Sequence, residues 1–447
     1  GRTGLGVVWG YDDSFSLFGR SIVKNSPAVI KHLLSLGCDV NIPDRRGFTP
    51  LMHLCSLDDD LISWFVCEAK LPHGLISPAD INHQNQYGVT ALMVCYRDKY
   101  VDLLSSVSDV NLQDFVSGAS ALHVAVAKEE KHRFLYDVYS SNNKDDTEIE
   151  NPDKKKLALY KERFNPSKTI RMLSQYNANV NVQDFEGRTP FFLCCCVGDI
   201  KAAETLVSAG ADIHLPTYTG VSPFMAACQY GQLDMVTWMV EHHSIDVNHT
   251  DDAGNSPLLM AARMMRSDVI EYLIKSRADV NHVNNSQVSA LMTVCESPAD
   301  ALPVLQSRLI FIFFNQFKVD TDTNRLQCAK LLLQTGISID AVDSSQQTAL
   351  HMASRYGRLP LVELLLSHHS NPHQRDIYGN TALHLAIQHQ HRHTAVELIR
   401  HMEDVNIRNN LGHTPLHTLC YLPLNSPVAE ELLDLLCEKG ADVNAKD

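Results

Sequence analysis

Thr381-Ala382-Leu383-His384 and Thr414-Pro415-Leu416-His417 stand 33 residues apart and read as the same local instruction. A Thr or Ser followed by Pro or Ala opens a helix: the hydroxyl oxygen caps free N–H groups, and Pro is tolerated at the first helical position. Working outward, the block of Thr/Ser, Pro/Ala and an apolar residue occurs ten times. Its other copies are Thr49-Pro50-Leu51, Thr90-Ala91-Leu92, Ser120-Ala121-Leu122, Thr189-Pro190-Phe191, Ser222-Pro223-Phe224, Ser256-Pro257-Leu258, Ser289-Ala290-Leu291 and Thr348-Ala349-Leu350. Successive spacings are 41, 30, 69, 33, 34, 33, 59, 33 and 33 residues. The value 33 or 34 sets the period, and the rest are that period with insertions or a trimmed helix.

A second block, Asp-Val-Asn or a close variant, precedes the first. Copies stand at Asp39-Val40-Asn41, Asp80-Ile81-Asn82, Asp109-Val110-Asn111, Asn179-Val180-Asn181, Asp246-Val247-Asn248, Asp279-Val280-Asn281, Asp404-Val405-Asn406 and Asp442-Val443-Asn444. In most copies eight residues separate the Asn from the next Thr/Ser, as from Asn41 to Thr49. Fixed spacing with variable content is the mark of a shaped turn. Within each unit a first apolar helix runs to a turn, often with Gly (Gly198, Gly231, Gly357), and then to a second helix such as Leu361-Val362-Glu363-Leu364-Leu365-Leu366. Gly210 and Gly440 supply a left-handed stop. Asp184-Phe185-Glu186-Gly187 and its equivalents turn the chain into the next unit. The His that follows several caps shares hydrogen bonds with the Thr and ties one loop to the next.

These linked blocks resemble the ankyrin repeat family from about residue 16 to the end. The resemblance implies an all-α solenoid of stacked helix-turn-helix units joined by β-hairpin loops, with first helices as a palm and hairpin tips as fingers. Residues 1–15 are an irregular N-terminal segment, and 16–447 the solenoid, interrupted at about 138–166 and 298–325. The first interruption is charged, with Lys144-Asp145-Asp146 and Lys154-Lys155-Lys156, and reads as a solvated loop. The second holds Leu309-Ile310-Phe311-Ile312-Phe313-Phe314, too apolar for a free loop. It folds back on the stack, meets a partner, or is translated intron sequence. Gly4-Leu5-Gly6 has no room for the strand that a phosphate loop needs.

Composition excludes several function classes. A formal net charge of −14 over 447 residues argues against a nucleic-acid surface, which needs a basic footprint. No apolar run approaches the ~20 residues that span a bilayer, so no membrane insertion is expected. The chain opens Gly1-Arg2-Thr3 and stops within a repeat at Asp447, so it reads as a piece of a longer protein with further repeats after Asn444.

Twelve cysteines invite a metal or disulfide reading. Cys55, Cys95, Cys194, Cys195, Cys228, Cys295 and Cys420 fall where ankyrin repeats usually place Ala between closely packed helices, so they read as small buried hydrophobes. No CxxC pair exists, and reduced thiols point to the cytoplasm or the nucleus. The His368, His369, His373 and His389, His391, His393 clusters fall at opposite ends of a helix pair, which is poor chelate geometry. Neither a cofactor nor a metal is expected. No P-loop, nucleophile elbow or kinase motif is present, so no enzyme is expected.

The residues free to vary are four and five positions after the Asn, at the fingertips. Arg45, Arg46, Tyr87, Phe115, Phe185, Tyr218 and Tyr378 are the candidate partner-binding residues. Aromatics there bury much area at small entropy cost. Asn41 and Asn281, each with a Leu eight residues upstream, resemble sites of an asparaginyl hydroxylase that acts on ankyrin repeats. The expected function is a monomeric, non-catalytic scaffold or adaptor that holds a protein segment. The alternative is the regulatory arm of a larger channel, kinase or ubiquitin-ligase subunit.

Overall fold

A computed structural model describes residues 16–23, 26–36, 38–57, 62, 80–95, 98–127, 165–296, 321–421 and 427–446. The irregular segment 1–15, most of both interruptions, and the run Leu309 to Phe314 lie outside the described residues. The chain divides into two units, 1–194 with 201–217, and 195–200 with 218–447.

In the first unit the helices are α1 (Leu17–Val23), α2 (Pro27–Ser35), α3 (Pro50–Leu57), α4 (Ala91–Val94), α5 (Asp98–Ser105), α6 (Ala121–Val126) and α7 (Pro166–Gln175). Next come α8 (Pro190–Val197), which runs across the division, and α9 (Ile200–Ser208). The second unit holds α10 (Pro223–Tyr230), α11 (Leu233–His243), α12 (Pro257–Arg263), α13 (Ser267–Lys275), α14 (Ala290–Cys295) and α15 (Thr321–Leu333). It continues with α16 (Ala349–Arg355), α17 (Leu359–Ser367), α18 (Ala382–Gln388), α19 (Arg392–His401), α20 (Pro415–Cys420) and α21 (Pro427–Glu438). All described regular structure is helical, apart from single antiparallel bridges at Gln113–Ser120 and Val283–Ser289.

Two rows of helices build the second unit. Inner helices α10, α12, α14, α16, α18 and α20 pack each on the next, and outer helices α11, α13, α15, α17, α19 and α21 do likewise. Sequence explains the two roles. On α12 Pro257, Leu258, Leu259, Met260, Ala261 and Ala262 are all buried, because neighbours cover both flanks. On α13 only Val269, Ile270 and Leu273 are buried, a one-sided stripe at helical spacing. Helices of six to eight residues are marginal alone, so packing stabilises them. The small positions follow the same logic: Ala227, Cys228, Cys194 and Cys195 are inaccessible, and Cys195 Sγ lies 3.8 Å from Met239 Sδ. Burial pushes the Cys295 thiol up to about 12, so it stays protonated and inert.

Each inner helix starts as the sequence dictates. Ser222, Ser256, Ser289, Thr348 and Thr414 have extended backbones and accept a hydrogen bond from the N–H three residues on. Such a cap contributes about 1 kcal/mol.

Three readings need correction. α7 opens at Pro166, the residue given as the end of the first interruption. α15 opens at Thr321, inside the stretch given to the second. Its buried Arg325 donates through Nη1 to the carbonyls of Val294 and Glu296, closing the end of α14 across the interruption. Cys420 is exposed rather than packed between helices, because no further helix covers its side of α20 among the described residues.

The fingers turn through left-handed residues, mostly Gly. Gln287 (φ 61°) and Gln346 (φ 57°) take that conformation with a side chain in place. A non-Gly residue there costs about 1–2 kcal/mol, partly offset by the stiffer unfolded chain. Gln287→Gly and Gln346→Gly should each raise stability by roughly 0.5–1 kcal/mol in urea unfolding. A loss of stability would show that the Gln side chains hold their fingers.

Candidate protein-binding face

Most fingers are built on an Asx turn; the finger of Tyr218 has Thr217 at that position. Asp184 Oδ1 accepts from Glu186 N (3.0 Å) and Arg188 N (2.9 Å), and Gly187 closes the turn at φ 81°. Asn85, Asp114, Asp251, Asn284, Asp343, Asp376 and Asn409 turn their fingers in the same way. With the backbone folded back on the Asx side chain, the two residues after it point outward.

Fingers are joined edge to edge. In the first unit Gln86 N donates to Arg46 O, Phe115 N to Tyr87 O, and Phe185 N to Ser117 O. In the second, Asp252 N donates to Thr219 O, Asn285 N to Ala253 O, Ser344 N to Ser286 O, Ile377 N to Ser345 O and Asn410 N to Tyr378 O. The tips are therefore ordered ledges. Glutamines brace them: Gln113 Nε2 donates to Gly118 O and Gln183 O, and Gln183 Nε2 to Gly187 O and Pro216 O.

Two further ladders fix the register. Asn41 Oδ1 accepts from Asp80 N (2.8 Å), Asn248 Oδ1 from Asp279 N (2.8 Å), and Asn281 Oδ1 from Ser338 N (2.9 Å). Buried histidines form the other ladder. His351 Nδ1 faces Thr348 N (3.2 Å) and Oγ1 (2.9 Å), while its Nε2 meets Asn380 O (3.1 Å). The N–H at Thr348 requires Nδ1 to accept, which assigns the ring proton to Nε2 and makes it the donor to the next finger. His123 reaches Arg188 O, and His384 reaches His413 O, in the same way. Burial holds all three rings neutral by lowering their pKa, His384 to about 4.

On this frame the candidate residues fall as follows. Arg45, Arg46, Tyr87, Phe115 and Phe185 lie on consecutive fingers of the first unit, with Arg45 exposed and Arg46 and Tyr87 half-buried. Phe115 is 59% and Phe185 61% exposed, large values for such rings. Each ring also rests on the preceding finger: a Cβ at Gly88 would come within 2.8 Å of Phe115 Cγ, and one at Gly118 within 2.5 Å of Phe185 Cδ1. One side of the ring is held and the other is presented, which lowers the entropy cost of binding. Tyr218 and Tyr378 belong to the second unit and are exposed, on separate fingers. Beneath Phe185 the Arg188 side chain is buried, donating through Nε to Asp184 Oδ2 at 2.7 Å and pairing through Nη1 with Glu186 at 2.9 Å.

A family model described as ankyrin repeats in three copies matches residues 20–114, 216–284 and 360–447, more than half of the chain. The chain belongs to the ankyrin repeat family. Two more ankyrin descriptions match 332–386 and 186–218. This ankyrin chain is 24% identical over 229 residues, 45% of its length, to the Drosophila melanogaster transient receptor potential cation channel subfamily A member 1, covering 19% of that protein. It is 25% identical over 173 residues, 39% of its length, to the human neurogenic locus notch homolog protein 1, covering 6% of it. A crystal structure of the human ASB11 ankyrin repeat domain aligns with a TM-score of 0.45 at 20% identity, over 56% of this chain and 98% of that one. The chain thus spans a fifth or less of the two long relatives it matches.

The rim of this ankyrin stack also presents aliphatic side chains: Val116, Ile377 and Leu411, at the same tip positions, are exposed. No described helix is long and apolar enough to cross a membrane, and no described group of three His, Cys, Asp or Glu could hold a metal ion. His391 instead meets Arg355 O through Nε2, and His368 meets Leu364 O through Nδ1.

Proposed function

We propose that this chain is a non-catalytic scaffold or adaptor that holds a protein segment on its fingertips. The observation that carries the reading is the pair of exposed, half-supported rings at Phe115 and Phe185 on hydrogen-bonded fingers. Ankyrin repeats are protein-interaction modules, and a rigid rim with presented apolar side chains fits that use. The reading places the chain in the cytoplasm or the nucleus, where thiols such as Cys228 and Cys295 stay reduced.

Replacing Tyr87, Phe115, Phe185 and Tyr218 together by Ser tests it. Each ring covered by a partner contributes about 1.5–3 kcal/mol, so the fourfold variant should lose partner retention by well over tenfold. Circular dichroism should be unchanged. Unchanged retention on the immobilised variant contradicts the proposal, and lost helicity would mean that the rings are structural.

The small share of the long relatives that this chain covers favours a second reading, a regulatory arm of something larger. The complete transcript discriminates: channel spans, kinase motifs or a ligase-adaptor box would each name the host.

Asn41 and Asn281 remain proposed hydroxylation sites. Their carboxamide oxygens bridge fingers, so a modifying enzyme must act while the ladder is open. Peptide mass spectrometry of native protein should show one added oxygen on these asparagines, and unmodified peptides at both would end the idea.

A further inference from the structure

In several fingers the residue before the turn braces it, and the chemistry of that brace changes along the chain. In the first unit neutral amides do the work: Gln84 Nε2 donates to Gly88 O and to Gln113 O, both at 2.9 Å, and Gln113 and Gln183 repeat the pattern. In the second unit Arg375 does it, through Nε to Gly379 O and through Nη2 to Asn410 Oδ1, each at 3.1 Å. Arg408 donates through Nη1 to Gly412 O at 3.2 Å in the same way. A neutral amide suffices for bracing, so these positive charges are surplus to the fold. Nor do they balance the acid of the turn. Arg408 precedes a neutral Asn409, whereas Gln113 and Gln183 precede Asp114 and Asp184.

Arg375 stands beside apolar surface. Its guanidinium lies against Gly379, where an added Cβ would come within 2.5 Å of Nη2. The two residues at that fingertip, Ile377 and Tyr378, are 42% and 64% exposed, and Asn410 donates to both of their carbonyls. Arg375 forms no ion pair among the described residues. The acids of this finger and the one before, Asp376 and Asp343, accept from N–H groups of their own turns. Charge is segregated across the second unit as well. Its inner helices carry no Asp or Glu, and their charged residues, histidine apart, are Arg263 and Arg355. Acid sits on the outer helices instead, as at Asp234, Glu271 and Glu363. In a chain of net charge −14, the inner row of this unit is cationic.

We infer that the fingertip at Ile377 and Tyr378 is a second docking surface, and that its occupant is a protein segment combining apolar side chains with carboxylates. The apolar side chains cover Ile377 and Tyr378. A carboxylate pairs with the Arg375 guanidinium, which the finger already holds in place, so little freedom is lost on binding. The inference rests on the reading that the fingers hold protein. It adds a segment of different chemistry from the one held at Phe115 and Phe185, whose braces are neutral.

Random peptides displayed on phage and panned against the full chain test it. Peptides that bind the unmodified chain but not Tyr378→Ser should be rich in apolar residues and in Asp or Glu. Arg375→Gln, which leaves an amide able to brace the finger, should weaken those peptides by about tenfold while circular dichroism is unchanged. The same variant should leave intact the peptides that Phe115→Ser with Phe185→Ser abolishes. Tyr378-dependent peptides that are neutral or basic, or that bind Arg375→Gln as well as the unmodified chain, would overturn the inference. Peptides that depend on Phe115 and Phe185 but never on Tyr378 would overturn it alone. Dependence on neither fingertip would overturn the parent reading with it.

Discussion

Lowering the pH from 7 to 4 is expected to destabilise the second unit by about 3 kcal/mol through His384 alone. Its neutral ring accepts at Nδ1 from the Thr381 N–H (3.1 Å) and donates from Nε2 to His413 O (3.1 Å). A second proton would set Nδ1–H against Thr381 N–H, and burial lowers the pKa to about 4. The sign follows from linkage. The unfolded His takes up a proton near pH 6.5 and the folded one only near 4, so the unfolded state binds more protons between those values. Stability is whole above pH 6.5 and falls steadily to about pH 4. His351, buried and lowered for the same first cause, adds to the loss in that unit, and His123 does so in the first. At Asp44 burial pulls the carboxyl up, but His53 and backbone N–H groups lower it overall, so its contribution is lost as the pH falls through about its ordinary 3.8, at the acid edge of the window and in the same direction. Urea midpoints across pH 7, 5.5 and 4.5 measure the slope. His384→Gln should flatten it. A slope unchanged in the variant would contradict the assigned ring state.

Arg188→Ala is expected to cost the first unit roughly 3–5 kcal/mol. The Asp184 side chain is 1% exposed, and the substitution leaves its Oδ2 buried without the 2.7 Å partner. Removing one member of a buried ion pair strands the other's charge, whereas removing both charges need not. The double variant Arg188→Met with Asp184→Asn should therefore recover most of the loss. Asn keeps the turn, because Asn85, Asn284 and Asn409 already perform it in other fingers. Thermal unfolding of the two variants separates the outcomes. A single variant within 1 kcal/mol of the unmodified chain would show that the pair is solvated.

What the sequence made legible is the chemistry that is local. The Thr/Ser caps, the αL glycines and the cap histidines announce themselves within four residues, and the helices start where those residues say. The fingertips were legible for the same reason, since they stand at a fixed distance from Asn. Long-range partners were not. Arg325 bonds backbone carbonyls, which have no sequence signature, so nothing in the sequence separates the start of α15 from the insertion. The exposure of Cys420 depends on what covers it, and its repeat position alone predicts burial. Tyr87 looks equivalent to Phe115 in the pattern, yet packing leaves it only half-exposed.

Amide hydrogen exchange resolved to single residues tests the central claim, that the rim is a rigid ledge of fingers bonded to one another. Phe115, Phe185 and Asn410 carry amides that donate to the finger before them, although all three residues are exposed. These amides should exchange as slowly as those within the adjacent inner helices. Exchange at the rate of an unstructured peptide there, with the helices still protected, would contradict the account.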